Sequence, residues 1–229
     1  MDTVIIALGE TPLFKGMDHA HLTQIRRIAQ ERNYTNGDAI FWEGDPANGF
    51  YVILKGKVKI YKTSFDGKEQ ILHIYGPGHP FGEVPVFSGS RFPANAQALA
   101  ASRLLFFPRS DFVDLISANP ALALNMLAVL SMRLRQFTVQ VENLSLKEVP
   151  ARLASYLILL SKEQKSTDRV SLPISKGQLA SLLGTIPETL SRIFNKMTGQ
   201  GLITVSGREI ELVSWEGIVD LSESGRSNE

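Results

Sequence analysis

Residues 175–197 read SKGQLASLLGTIPETLSRIFNKM, and the fold of the chain turns on this stretch. Ser175 followed by Gln178 is a capping-box pattern, in which the hydroxyl accepts from an early helix amide while the glutamine reaches back. It predicts a short helix over Lys176 to Leu183 with Leu179, Leu182 and Leu183 turned inward. Gly184 supplies a tight turn, Thr185 or Ile186 caps the next helix, and Pro187 sits in its first turn, where a missing amide donor costs little. Ile193, Phe194 and Met197 form the buried side of that second helix. Two short helices joined in this way make a helix-turn-helix.

The polar side of the second helix carries the chemistry. Glu188, Ser191 and Arg192 stand at relative positions 0, 3 and 4 and therefore share one face. Arginine can give two parallel hydrogen bonds to guanine O6 and N7, glutamate can accept from cytosine N4, and serine accommodates several base edges. The competing reading is an ordinary surface ion pair of Glu188 with Arg192, which leaves the surrounding two-helix pattern unexplained. Downstream, Gly201 to Val205 and Glu209 to Leu212 flank the turn Ser206-Gly207-Arg208, a hairpin placed as a wing. Arg208 at its tip, Lys196 on the second helix and Lys176 beside the first cap are candidates for phosphate contacts. Residues 147–212 carry 9 basic against 6 acidic groups, a small local excess in the same direction.

Upstream, Pro120 opens a helical pattern in which Ala123, Leu127, Leu130, Leu134, Phe137, Val141 and Leu144 follow at spacings of 4, 3, 4, 3, 4 and 3. Leu122, Met126 and Val129 widen the apolar stripe in the first half. A helix of roughly 26 residues is about 39 Å long, more than a small roll buries, so a two-helix contact between copies is expected. Lys147-Glu148-Val149-Pro150 marks a hinge, Arg152 to Leu160 a short amphipathic helix, and Val170 to Leu172 a strand. Leu221 to Glu229 reads as a polar tail.

Before the long helix the texture is different. Ala39 to Glu43, Gly49 to Leu54, Gly56 to Thr63, Gln70 to Tyr75, Ala94 to Ala98 and Ser102 to Phe107 are short apolar strands separated by Gly-rich corners, which argues for an antiparallel roll. Val58 and Ile60 alternating with Lys57 and Lys59 predict a strand with one wet face.

Composition removes other classes. The 229 residues hold 24 Lys plus Arg, 23 Asp plus Glu, four His and no Cys, with 44% hydrophobic residues: material for one or two soluble domains without a charged disordered tail. Without cysteine there are no disulfides, thiolate nucleophiles, Cys-ligated zinc or Cys-ligated iron-sulfur clusters. Apolar runs such as Leu157 to Leu160 are too short to span a bilayer, and Asp2 and Glu10 do not fit a secretory signal, so a cytoplasmic protein with no membrane partner is expected. A P-loop, dinucleotide fingerprint, Gly-x-Ser-x-Gly elbow and metal triad are all missing from the sequence, so no enzyme is expected.

The order of roll, long helix, hinge and winged helix-turn-helix resembles the CRP/FNR family of bacterial transcription regulators across nearly the whole chain. Ile186-Pro187-Glu188-Thr189-Leu190-Ser191-Arg192 resembles its recognition-helix signature, and Gly56 to Ile60 and Phe81-Gly82-Glu83 resemble its strand and ligand-cassette markers. The resemblance implies an α+β chain: an N-terminal cyclic-nucleotide-binding-like β-roll (a double-stranded β-helix, or jelly roll) over 1–118, a dimerisation helix over 119–146 and a winged helix-turn-helix over 147–229. It implies double-stranded DNA, a second copy of the chain, RNA polymerase and a small effector as partners. Glu83, Asn95, Phe137 and Thr138 fall at effector positions. The Glu-Ser-Arg trio is similar to that of the FNR-like branch, whose half-sites are related to TTGAT or TTGNC in an inverted repeat.

Two departures shape the effector expectation. Pro93-Ala94-Asn95 stands where cyclic-nucleotide binders place Arg-Ser or Arg-Thr against the phosphate, Arg91 arrives too early, and Phe137 with Thr138 matches the nucleobase position poorly. A cyclic nucleotide is therefore disfavoured. The oxygen-sensing members hold iron-sulfur clusters by cysteines, which this chain lacks. What remains is similar to the DNR and HcpR type, which share the Pro-Glu-Thr-x-Ser-Arg helix. That similarity implies a haem-associated response to nitric oxide and nitrosative stress, with His73 and His79 as candidate iron ligands. The alternatives are a cyclic-nucleotide-responsive regulator or an effector module without DNA readout. In the regulator reading a signal around Glu83 to Asn95 and Phe137 alters the packing of two long helices, and the hinge at Glu148 to Pro150 resets the spacing of the recognition helices to about 34 Å.

Overall fold

The computed structural model describes residues 3–224. The chain forms two compact units that part, in sequence, between Arg135 and Gln136.

The first unit contains α1 (Thr3–Glu10), α2 (His19–Ile28), β1 (Gln30–Tyr34), β2 (Ala39–Phe41), β3 (Gly49–Lys55), β4 (Val58–Thr63), β5 (Glu69–Tyr75), β6 (Pro80–Phe81), α3 (Val84–Ser88), β7 (Asn95–Ala98), β8 (Ser102–Pro108), α4 (Arg109–Ala118) and the first part of α5 (Pro120–Leu146). Two four-stranded antiparallel sheets, ordered β1-β8-β3-β6 and β2-β7-β4-β5, make the roll. Aromatic and branched aliphatic residues fill β3 and β8, and Phe50, Val52, Ile53, Leu104, Leu105 and Phe107 are completely inaccessible. Phe50 and Phe107 stack at 5.0 Å, and Phe14 and Phe112 close over them from the helical side. Gly56 is obligatory at the corner between β3 and β4: its φ is +97°, and a Cβ there would meet the Ser102 hydroxyl at 2.1 Å.

One expectation fails in this unit, and one segment had none. The wet face of β4 is not there: Lys59 is 6% exposed, its ammonium pairs with Glu69 across the β4–β5 hairpin and lies 4.1 Å from the centre of the Tyr61 ring. β4 lies between β5 and β7, and the extra residue in its pairing with β5 is Leu72 of β5, so β4 keeps its alternation and Lys59 shares a face with Tyr61. A lysine can be accommodated there because its methylene stem is apolar and its charge is paired. The N-terminal segment, unassigned from the sequence, forms α1 and α2 and buries Leu8, Phe14 and Ile25 completely.

α5 presents two stripes. Leu122, Met126 and Val129 are buried, and the first two join the roll's core. The seam expected from the spacing is exposed: Leu127 at 58%, Leu134 at 70% and Val141 at 62%. Isolated surface leucines are ordinary, but an apolar row along one helix marks a contact surface.

The second unit holds α6 (Val149–Gln164), β9 (Arg169–Ser171), α7 (Lys176–Leu182), α8 (Pro187–Gly199), β10 (Ile203–Ser206), β11 (Glu209–Leu212) and α9 (Trp215–Ser224), with a three-stranded antiparallel sheet ordered β10-β11-β9. Glu148 caps α6 and Pro150 lies in its first turn, so the helical ladder breaks where the hinge is expected. Leu153, Leu157, Leu179, Leu190, Phe194, Ile203, Ile210 and Ile218 form a continuous buried set. The polar tail read from Leu221 onward begins too early. Residues 221–224 finish α9, which packs on α6 and buries Ile218, Leu221 and Ser222, while residues 225–229 lie outside the described residues.

Candidate DNA interface and effector site

The helix pair is built by its caps. At α7 the Ser175 hydroxyl accepts from the Gln178 amide at 3.2 Å, and the Ser175 amide donates to Gln178 Oε1 at 2.9 Å, so two otherwise orphaned donors are satisfied. Gly184, at φ +65°, turns the chain. Ile186 caps α8 and Pro187 begins it. Leu190, Ile193, Phe194 and Met197 face inward, which fixes the roll of α8 about its axis and turns Glu188, Ser191 and Arg192 out to solvent together.

No ion pair or hydrogen bond joins Glu188 to Arg192 among the described residues, so the surface salt-pair reading has no geometry to support it. Lys196 is exposed on the same helix, Lys176 is exposed with its ammonium 5.2 Å from the Phe194 ring centre, and Arg208 is exposed at the β10–β11 turn. The Arg208 carbonyl accepts from the Leu172 amide at 2.8 Å, which pins the wing tip to the end of β9. Asn195 is a residue the spacing argument missed. Seven positions after Glu188 and three after Arg192, it continues their face and is exposed.

The effector candidates divide. Gly82, at φ +75°, leads from β6 into α3; a Cβ there would press on Phe92 and Phe41 at 3.1 and 3.2 Å. The turn carries Glu83 inward, where it is 2% exposed. Its Oε1 accepts from Arg133 of α5, which also donates to the Pro80 carbonyl and lies 4.9 Å from the centre of the Tyr75 ring. Glu83 Oε2 is buried with no hydrogen-bond partner among the described residues. Arg133 is the second residue that sequence reasoning missed. The signal was present: Leu122, Met126 and Val129 descend the buried stripe at spacings of 4 and 3, and the next place is 133.

Asn95 is buried, but its carbonyl oxygen holds the Glu43 amide at 2.8 Å, so it serves the β-roll corner. Phe137 and Thr138 lie on α5 beyond Arg135, in the second unit, and both are exposed. Arg91 donates to the Gly44 carbonyl at 2.7 Å on the surface.

His73 on β5 packs on Tyr75 at 4.1 Å, and burial, aided by the nearby Arg133 and His79 charges, pushes its pKa down to about 4. His79 Nδ1 is 3.2 Å from the Pro77 carbonyl, and its ring centre is 6.1 Å from that of Tyr75. Both candidate iron ligands thus lie near one tyrosine, Tyr75. Among the described residues no group of three or more His, Asp or Glu side chains is arranged to hold a metal ion. No single helix among them is long and apolar enough to cross a membrane.

A β-roll with a buried acidic corner, a long helix with an exposed apolar seam and a winged helix-turn-helix together define a class, that of DNA-binding regulators with an effector-binding domain. Residues 31–119 match the family described as Cyclic nucleotide-binding domain, and residues 151–221 match the Crp-like helix-turn-helix domain. The cyclic AMP receptor protein of Thermus thermophilus is 31% identical over 202 residues, covering 88% of this chain and 92% of that protein. A CRP-like cAMP-activated global transcriptional regulator of Mycobacterium tuberculosis is 27% identical, over 92% of this chain and 94% of its own. Among solved structures, FixK2 from Bradyrhizobium japonicum matches with a TM-score of 0.75 at 26% identity, covering 88% of this chain and all of that one. The chain belongs to the CRP/FNR family, and with it to a class of transcription regulators that are not enzymes.

Proposed function

We propose that two copies of this protein, joined along the α5 seam, bind an inverted repeat of FNR-like half-sites, TTGAT or TTGNC, through Glu188, Ser191 and Arg192. Residues 1–118 sense, 119–146 join the copies and 147–229 bind DNA. The reading places the protein in the cytoplasm, acting on RNA polymerase at promoters. The observation that carries it is the solvent-facing Glu-Ser-Arg trio on a helix whose other side is fully committed to the core. Lys176, Lys196 and Arg208 then contact phosphates and set affinity without sequence preference. The test is binding of the full chain to an inverted TTGAT or TTGNC repeat across a salt series. Arg192→Ala is expected to lose discrimination between repeat and scrambled duplex, while Lys196→Ala weakens both alike. Equal effects of the two variants would reject the assignment.

For the effector, a nucleotide-type ligand is the better supported choice, and haem the weaker one. Glu83 Oε2 is a buried acceptor without a donor, which suits a sugar hydroxyl, and Arg133 supplies a buried cation that the Pro93-Ala94 segment does not. The domain family and the names of the relatives point the same way. The haem-linked nitric-oxide response rests on the recognition-helix resemblance and on His73 and His79 alone. Calorimetric titration with cyclic AMP, repeated on Glu83→Gln, tests the first choice. A saturable Soret band lost in His73→Gln, with no nucleotide heat, would reverse the order.

A further inference from the structure

Ile186 is 51% exposed, and no other large apolar side chain among the described residues from Ser175 to Leu212 is exposed to that extent. The core of the second unit is closed without it. It is also the N-cap of α8: its carbonyl accepts from the Leu190 amide at 3.0 Å, but its side chain makes no capping bond. Serine, threonine, aspartate or asparagine would satisfy an orphan amide there, and α7, in the same unit, uses that device at Ser175. Leu159 and Val213 of the same unit are exposed to a similar extent, but only Ile186 stands at the start of α8, where neither capping nor packing calls for an isoleucine. Pro187 holds the preceding residue extended, and Ile186 indeed has φ −105° and ψ 155°, so the backbone that carries the side chain is set before anything binds.

We infer that Ile186 is a specificity residue that packs on the 5-methyl group of a thymine in each half-site. This rests on α8 being the recognition helix. The N-terminal end of such a helix is the part that reaches base edges, and thymine alone presents an apolar group in the major groove. Its place at the N-terminal end of α8, two residues before the exposed Glu188, selects DNA as the occupant.

The test starts from the inverted repeat that the full chain selects from a random duplex pool. Each thymine pair is replaced symmetrically by deoxyuridine, which removes the methyl and leaves the hydrogen-bonding edges unchanged. The expected result is one position at which the native chain binds about four-fold more weakly per half-site, with the effect absent in Ile186→Ser, whose hydroxyl also restores a cap and keeps the helix folded. Ile186→Thr, retaining one methyl, is expected to fall between. Specific binding to the unmodified repeat with no deoxyuridine-sensitive position overturns the inference alone, as does equal sensitivity in Ile186→Ser. Failure to select any sequence overturns the reading of α8 and this inference with it.

Discussion

The exposed face of α8 and the buried corner around Glu83 hold the same kinds of side chain, a glutamate and an arginine, in opposite conditions. On α8 they stand in water four residues apart without pairing; in the roll they are desolvated and bound to each other. A charge left in water keeps its hydration until a partner arrives and contributes little to folding. A buried charge cannot be left alone, because removing its partner strands it in a poor solvent. The same residue types are therefore left available to a partner in one place and committed to the folded state, with one acceptor still open, in the other.

The contrast breaks most sharply at Arg192. Arg192→Ala is expected to lower affinity for the specific repeat by about 1–3 kcal/mol per half-site with no change in the thermal midpoint; a comparable loss of stability would show that the side chain is structural. Arg133→Ala should behave in reverse, destabilising the first unit by about 3 kcal/mol in denaturant titration, with part of the loss recovered when Glu83→Ala is added. Ser175→Ala removes the α7 cap and is expected to cost about 1 kcal/mol of the second unit's stability, whereas Ser191→Ala, on the exposed face, should cost almost none.

His73 carries the same contrast into pH. His73 stays neutral in the folded chain down to about pH 4, while the unfolded chain takes up that proton from about pH 6.5. Between these values the unfolded state binds more protons, so stability should fall as pH falls through the window, the loss being complete below it. His73→Gln is expected to flatten that part of the stability-pH curve. An unchanged curve would mean that His73 is as well solvated when folded as when unfolded.

Much of this arrangement was readable from residue order. The capping box and Pro187 marked the starts of both helices of the pair, and the 4-3 spacing from Ala123 to Leu144 anticipated the exposed row on α5. What escaped has physical reasons. Arg133 extends a buried apolar stripe, and a charged residue there makes sense only once the partner carboxylate, 50 residues earlier in the chain, is known to be buried. Lys59 is inside because Glu69, across the β4–β5 hairpin, pairs its charge and the Tyr61 ring lies against it, and the pairing across the hairpin is not visible in a single strand's alternation. α9 reads as a tail from its serines and acids, because its burial depends on α6 standing opposite Ile218 and Leu221. In each case the missing information was a contact distant in sequence.

The central claim is that Arg192 reads a guanine from a solvent-facing helix. Its most direct measurement is the affinity of the native chain and of Arg192→Ala for the selected inverted repeat, with the guanine of both half-sites intact or replaced by 7-deazaguanine, which lacks the N7 acceptor. The account requires a loss of about ten-fold or more for the native chain and none for Arg192→Ala. The same loss in both proteins, or no loss in either, would contradict it.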